Sequence, residues 1–177
     1  MRTATDILRD EHALILRALL SLEMAAERRG AGGVLPEGLW SGMIGWLRAF
    51  ADRNHHAKEE TALFPAMVKA GVPAGDGPIA VMLEEHAEGR ALLATMSTGA
   101  PVDQAAAAHR YIRLLREHID KENGLLFPLA EAVLDARDQA EVCREFASAE
   151  TELGETACLD LARDALELIT WGAPYRG

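Results

Sequence analysis

Two segments of the chain each place an imidazole and a carboxylate one helical turn apart. The first is His55-His56-Ala57-Lys58-Glu59-Glu60-Thr61-Ala62-Leu63-Phe64-Pro65, and the second is His118-Ile119-Asp120-Lys121-Glu122-Asn123-Gly124-Leu125-Leu126-Phe127-Pro128. Aligned on Leu-Phe-Pro, His55 pairs with His118, Lys58 with Lys121 and Glu59 with Glu122. On a helix, side chains at i and i+4 leave the same face about 5–6 Å apart. Each segment therefore aims one nitrogen and one oxygen donor in one direction. Two such helices face to face would bring two His and two Glu to a point. Helix bundles hold pairs of metal ions with donors of this kind.

Two further histidines fall on inward stripes. His12 continues the helical spacing of Leu8, Ile15, Leu19 and Leu22, and His86 that of Ile79, Met82/Leu83 and Leu93. Each of the first four expected helices thus carries one inward imidazole: His12, His55, His86 and His118. Carboxylates beside imidazoles in an apolar interior are costly unless paired or metal-bound. Imidazole and carboxylate without thiolate suit iron, manganese or zinc better than copper(I). A structural zinc site normally stops at four ligands, often with Cys. Two carboxylates placed between the histidines favour a binuclear centre.

The elements that position these residues are all helical. The spacing and breakers predict helix 1 over residues 5–29 with Asp6 as its cap, and helix 2 from Pro36 to about residue 70, with Pro65 kinking its last turns. Ile44, Leu47, Ala51, His55, Glu59 and Ala62/Leu63 share its inward face. Helix 3 is expected from Pro78 to near Ser97. Helix 4 is expected to be capped by Asp103, with Tyr111, Leu114/Leu115, His118, Glu122 and Leu125 on one side. A fifth helix over about 138–170 carries Val142, Phe146, Leu153, Leu161, Leu166 and Ile169 and no histidine. No strand signal is present. The expected fold is all-α: one domain over residues 1–177, with an up-down-up-down four-helix bundle over about 5–135 and an additional C-terminal helix.

The chain has 177 residues and a net charge of −10. The charge argues against nucleic acid, whose phosphates need clustered Lys and Arg. No apolar run is long enough to span a bilayer. The N-terminus leads into an amphipathic pattern without a secretory apolar region, so a cytoplasmic location is expected. Cys143 and Cys158 are then expected to be thiols.

The arrangement of His in helix 1, His-x-x-x-Glu in helix 2, His in helix 3 and His-x-x-x-Glu in helix 4, with two Leu-Phe-Pro tags, resembles the hemerythrin-like (HHE cation-binding) family over about residues 5–130. The resemblance implies a non-haem di-iron centre bridged by two carboxylates. Carried over, the ligands are His12, His55, Glu59, His86, His118 and Glu122. The family's five-histidine members have two histidines four residues apart in helix 3, where this chain has Met82 before His86. His56 offers a fifth nitrogen; the alternative is a rim histidine paired with Glu60. His109 is expected on the solvent face. Tyr111 is expected either to donate to a bound oxygen ligand or to be a core tyrosine satisfied elsewhere. Glu11 and Glu85 are expected in solvent, with a hydrogen bond to an imidazole N–H as the alternative.

Two octahedral metals offer about twelve positions. Five His, two bridging carboxylates and one bridging solvent oxygen would fill about eleven, leaving one for a small diatomic ligand. The resemblance thus implies a protein binding O2, NO or peroxide at two iron ions, for sensing, storage or carriage. The alternatives are a di-iron redox enzyme (oxidase, peroxidase or NO-reducing), an iron-donating repair protein, and a module in which metal mainly fixes the fold.

Overall fold

The computed structural model describes residues 2–153, and among them every regular element is helical. Helix α1 is Ala4–Gly30. Its cap is Thr3, not Asp6. The Thr3 hydroxyl accepts from the Asp6 N–H, and the Asp6 carboxylate accepts from the Thr3 N–H. Asp6 therefore fills the third position of a capping box. The left-handed Gly32, at φ 75°, reverses the chain after it.

Helix α2 covers residues 39–69 and changes pitch along its length. Leu39–Trp46 is α-helical, Leu47–His56 and Glu59–Leu63 are π-helical, and Phe64–Lys69 returns to α. Pro36 does not open it: Gly38 is the cap, and the Pro36 carbonyl accepts from the Leu39 N–H in the preceding turn. Helix α3 is Pro78–Thr98. Helix α4 covers residues 101–133, with a π-helical turn at Glu122–Leu126 between Pro101–Lys121 and Phe127–Val133. It starts at Pro101 without a side-chain cap, so Asp103 lies inside its first turn. Helix α5 is Ala136–Leu153; the Asp135 carboxylate caps it by accepting from the Arg137 and Asp138 N–H groups. The rest of the expected fifth helix, with Leu161, Leu166 and Ile169, lies outside the described residues, as does Cys158. Among the described residues Cys143 makes no disulfide.

The two prolines are accommodated by the π-turns. In each copy the turn begins at the glutamate, and the Phe N–H bonds five residues back, Phe64 to Glu59 and Phe127 to Glu122. Proline has no N–H and its ring clashes with the carbonyl four residues earlier. A wider turn just before Pro65 and Pro128 relieves that clash, so the expected kink is replaced by a local insertion. The insertion also shifts the buried face: Leu126 is 1 % exposed and Leu125 60 %, against the expectation for Leu125. In α3, Met82 is buried and Leu83 lies outward.

Two apolar clusters flank a polar layer. One holds Ile15, Leu19, Trp46, Leu47, Leu93, Met96, Tyr111 and Leu115; the other holds Leu8, Leu63, Met67, Ile79, Met82, Phe127, Val142 and Phe146. Each of α1–α4 runs from one cluster through a histidine into the other, in alternating order. Helix α5 joins only the second cluster. No described helix is long and apolar enough to cross a membrane.

Candidate metal centre

Between the clusters lie five imidazoles and two carboxylates, each at most 2 % exposed: His12, His55, His56, His86, His118, Glu59 and Glu122. They divide into two groups whose donor atoms lie within 4.8 Å of one another, His12, His55, Glu59 and Glu122 in one, and His56, Glu59, His86 and His118 in the other. Glu59 belongs to both. One of its oxygens is 3.6 Å from His55 Nε2 and the other 3.4 Å from His86 Nε2. Glu122 reaches across in the same way, 3.0 Å from His12 Nε2 and 3.2 Å from His118 Nε2. Each carboxylate thus spans the two groups.

Hydrogen bonding does not satisfy these inward atoms. His12 Nε2, His55 Nε2, both nitrogens of His56 and all four oxygens of Glu59 and Glu122 are buried without such a partner. Native interiors rarely tolerate that many orphans. Nε2 of His86 and Nε2 of His118 also face each other at 3.2 Å. Converging donors of this kind fit metal cations, which would take one nitrogen from each imidazole together with the carboxylate oxygens, while His56 Nδ1 lies toward Asp52 at 3.9 Å. The all-N/O donor set suits iron, manganese or zinc.

The outward imidazole nitrogens are held from behind. His55 Nδ1 meets Glu11 at 2.9 Å, and His118 Nδ1 meets Glu85 at 2.9 Å. Each of these glutamates also accepts from a lysine, Glu11 from Lys58 at 2.5 Å and Glu85 from Lys121. Asn54 adds a donor to Glu11 at 3.1 Å. His86 Nδ1 meets Glu60 at 2.8 Å, and His12 Nδ1 meets Asn123 at 3.1 Å. Glu11 and Glu85 are therefore orienting groups rather than solvated charges. Such contacts fix the tautomer and ring orientation of a metal-binding histidine.

Electrostatics follow from this packing. Burial pushes the Glu11 carboxyl up, but the hydrogen bond and charge of His55 and the Lys58 ammonium outweigh it and hold the group at about 2. Burial lowers His118, yet the Glu122 charge beside it, with Glu85, raises it to about 10. Burial keeps His56 well below the ordinary imidazole value.

His56 is in the layer, not on the rim. A regular helix would rotate it about 100° from His55. The π-helical stretch Leu47–His56 turns less per residue, so adjacent histidines both face inward. Glu60 does not pair with His56 but with His86 and Arg90. His109 is exposed, as expected. Tyr111 is a core residue, but its hydroxyl has no hydrogen-bond partner among the described residues.

The phenylalanines of the two tags have a matching task. Phe127 stacks on His12 at 5.3 Å between ring centres, and Phe64 on His86 at 6.0 Å. Sequence reasoning gave the phenylalanines of the tags no task at the site. It also gave no role to Lys58, Lys121, Asp52, Asn123 and Arg90. The signal available was the i±4 spacing of Asp52, His56 and Glu60 along one face of α2.

The family model for the hemerythrin HHE cation-binding domain matches residues 3–130. The chain belongs to the hemerythrin HHE cation-binding family. Its hemerythrin-like segment contains every residue of the polar layer, while α5 lies beyond it. Uncharacterized proteins of Mycobacterium bovis and of two strains of Mycobacterium tuberculosis are each 29 % identical over 152 residues, covering 78 % of this chain. The chain spans 59 % of the length of those relatives. No solved structure matches it.

Proposed function

We propose that this hemerythrin-like protein holds two iron ions and binds a small diatomic ligand, O2 or NO, for sensing, storage or carriage. His56, His86 and His118 would hold one iron, His12 and His55 the other, and Glu59 and Glu122 both. The observation that carries this is the pair of buried carboxylates, each placed between an imidazole of one group and an imidazole of the other. Alternation of the two apolar clusters along α1–α4 supports an up-down-up-down bundle around the site. Bound iron supplies a redox-active centre that takes up a diatomic ligand.

The division of the imidazoles supports one side as the place for that ligand. Three imidazoles serve one group and two the other, so the shortfall lies on the His12/His55 side. That side is sealed by apolar packing: Phe127 on His12, and Leu8 and Ile15 one turn either way along α1. With iron bound, such an apolar wall would keep water from a ligand on this side and disfavour proton leakage.

The test is spectroscopic. Protein reduced under anaerobic conditions and loaded with ferrous iron is mixed with O2, then purged. A reversible oxygenated spectrum supports binding. Bleaching to a diferric form with peroxide turnover instead identifies a redox enzyme. Absence of any spectral change, with unfolding on chelation, leaves metal a structural part.

A further inference from the structure

The two halves of the site repeat one plan, and one connected set of departures from it lies behind the three-histidine half. Glu11-His12 on α1 corresponds to Glu85-His86 on α3, and His55/Lys58/Glu59 on α2 to His118/Lys121/Glu122 on α4. The back contacts repeat too: Glu11 with His55 and Lys58 matches Glu85 with His118 and Lys121. Against this pattern four residues differ in kind from their counterparts. Asp52 corresponds to Leu115, His56 to Ile119, Glu60 to Asn123, and Arg90 to Leu16.

Three of them are joined by hydrogen bonds, and the fourth, His56, lies beside Asp52. Arg90 Nε donates to Asp52 at 2.7 Å and its Nη2 to Glu60 at 2.6 Å. Asp52 lies 3.9 Å from His56 Nδ1, and Glu60 2.8 Å from His86 Nδ1. Asp52, His56 and Glu60 follow one another at i, i+4 and i+8 on α2, and Arg90 stands one turn after His86 on α3. The guanidinium therefore closes a clasp across the seam between α2 and α3. Behind it, the His56 and His86 rings stack at 3.9 Å and 13°.

We propose that Arg90 is a positioning residue for the three-histidine half of the centre: by holding Asp52 and Glu60 together it fixes His56 and His86 as ligands, and so makes the two iron positions unequal. This rests on the two-iron reading above. A guanidinium suits the task because its fixed fork meets two carboxylates at once. Loss of an outer partner to a metal-binding histidine typically weakens affinity about 10–100-fold. Here that loss would fall on one position only, because the counterpart of Arg90 on the His12/His55 side is Leu16.

Anaerobic titration with ferrous iron alone, read by metal analysis and by the separate Mössbauer signals of the two irons, tests this. Arg90→Leu places at this position the residue type found at its counterpart, Leu16. It is expected to weaken one of two binding steps by about tenfold or more and leave the other within about twofold. Arg116→Leu, which breaks only the surface pair with Glu23, is expected to change neither step. If Arg90 works through His56, its replacement costs less in a His56→Ala background than in the natural chain. Circular dichroism of each variant in chelator checks folding. Should Arg90→Leu fail to fold, Asp52→Asn carries the same one-step expectation. Equal weakening of both steps, unchanged affinities, or full additivity with His56→Ala would overturn the clasp while leaving the two-iron site intact. A natural chain that takes up no iron would overturn both.

Discussion

Lys58 is 1 % exposed, and its ammonium ends 2.5 Å from a carboxylate oxygen of Glu11. The pair ties α1 to α2 directly behind His55, which meets the other oxygen of the same carboxylate. Removing one member of a buried ion pair strands the other, at about 3–5 kcal/mol. Glu11→Gln is therefore expected to destabilise the chain by that amount at neutral pH. The pH dependence has a definite sign. The Glu11 carboxyl is held at about 2, below its ordinary 4.5. A depressed folded-state value means the stabilisation is complete above about 4.5 and is lost as pH falls toward 2. Thermal melts of the natural chain and Glu11→Gln in chelator should differ by a constant gap down to about pH 5, then converge. A gap of one size at every pH would show that the charge of Glu11 contributes nothing.

The carboxylates and the single-sided histidines should behave differently on removal. Glu59 and Glu122 each reach both groups, whereas His12 and His118 each serve one. Glu59→Ala is expected to lower iron at both positions together. His118→Ala is expected to weaken the three-histidine position first, and His12→Ala the other. Metal analysis and Mössbauer spectra of purified variants distinguish these patterns. Unchanged iron in Glu59→Ala would remove Glu59 from the ligand set.

Much of this arrangement is legible in the sequence because helices report their faces by period. His12, His55, His86 and His118 announce themselves by sitting in apolar stripes, and Glu59 and Glu122 by the i+4 step. His56 is harder, since a regular helix rotates it away; only the π-helical winding of Leu47–His56 turns it inward. The same winding moves burial from Leu125 to Leu126. Pitch changes of this kind arise from tertiary packing and the proline that follows, and carry no local periodic signature. For Glu11 and Glu85 the structure bears out the alternative, a hydrogen bond to an imidazole, rather than the solvated charge. Their partners, His55, Lys58, His118 and Lys121, lie on other helices, and a charged residue beside a stripe reads as solvated until the neighbouring helix is placed. Thr3 and Asp6 illustrate the usual one-turn ambiguity of helix caps, where either residue has the chemistry.

Tyr111 offers a test of whether the core polar groups serve the metal. Its ring packs in the apolar cluster with Leu115 and Met96, and burial pushes its hydroxyl above the ordinary phenol value. The hydroxyl makes no hydrogen bond among the described residues. Leaving a buried polar group unsatisfied costs about 1–3 kcal/mol. Tyr111→Phe removes that group and preserves the ring, so the variant is expected to be as stable as the natural chain, or more stable by about 1 kcal/mol. Iron content should not change. A measured loss of stability, or a faster decay of the oxygenated spectrum, would assign the hydroxyl a partner or a part in ligand binding.

Helix α5 distinguishes the two lysines of the repeat. Lys121 is 41 % exposed, while Lys58 is covered, its ammonium 5.8 Å from the ring centre of Phe146. Phe146 is itself 2 % exposed in the cluster formed with Phe64, Met67 and Val142. Truncating a buried Phe to Ala costs about 3–5 kcal/mol through lost transfer energy and the cavity. Phe146→Ala is expected to fall in that range and to open the Glu11–Lys58 pair to water. Phe146→Leu keeps most of the apolar volume but removes the ring face, whose attraction for a desolvated ammonium is about 2 kcal/mol. If Phe146 acts by covering Lys58, Phe146→Leu should also cost less in a Lys58→Met background than in the natural chain, by about 1–2 kcal/mol. Denaturant unfolding of the four variants measures this coupling. A coupling of zero would mean that Phe146 adds apolar packing alone, without influence on the charged pair behind His55.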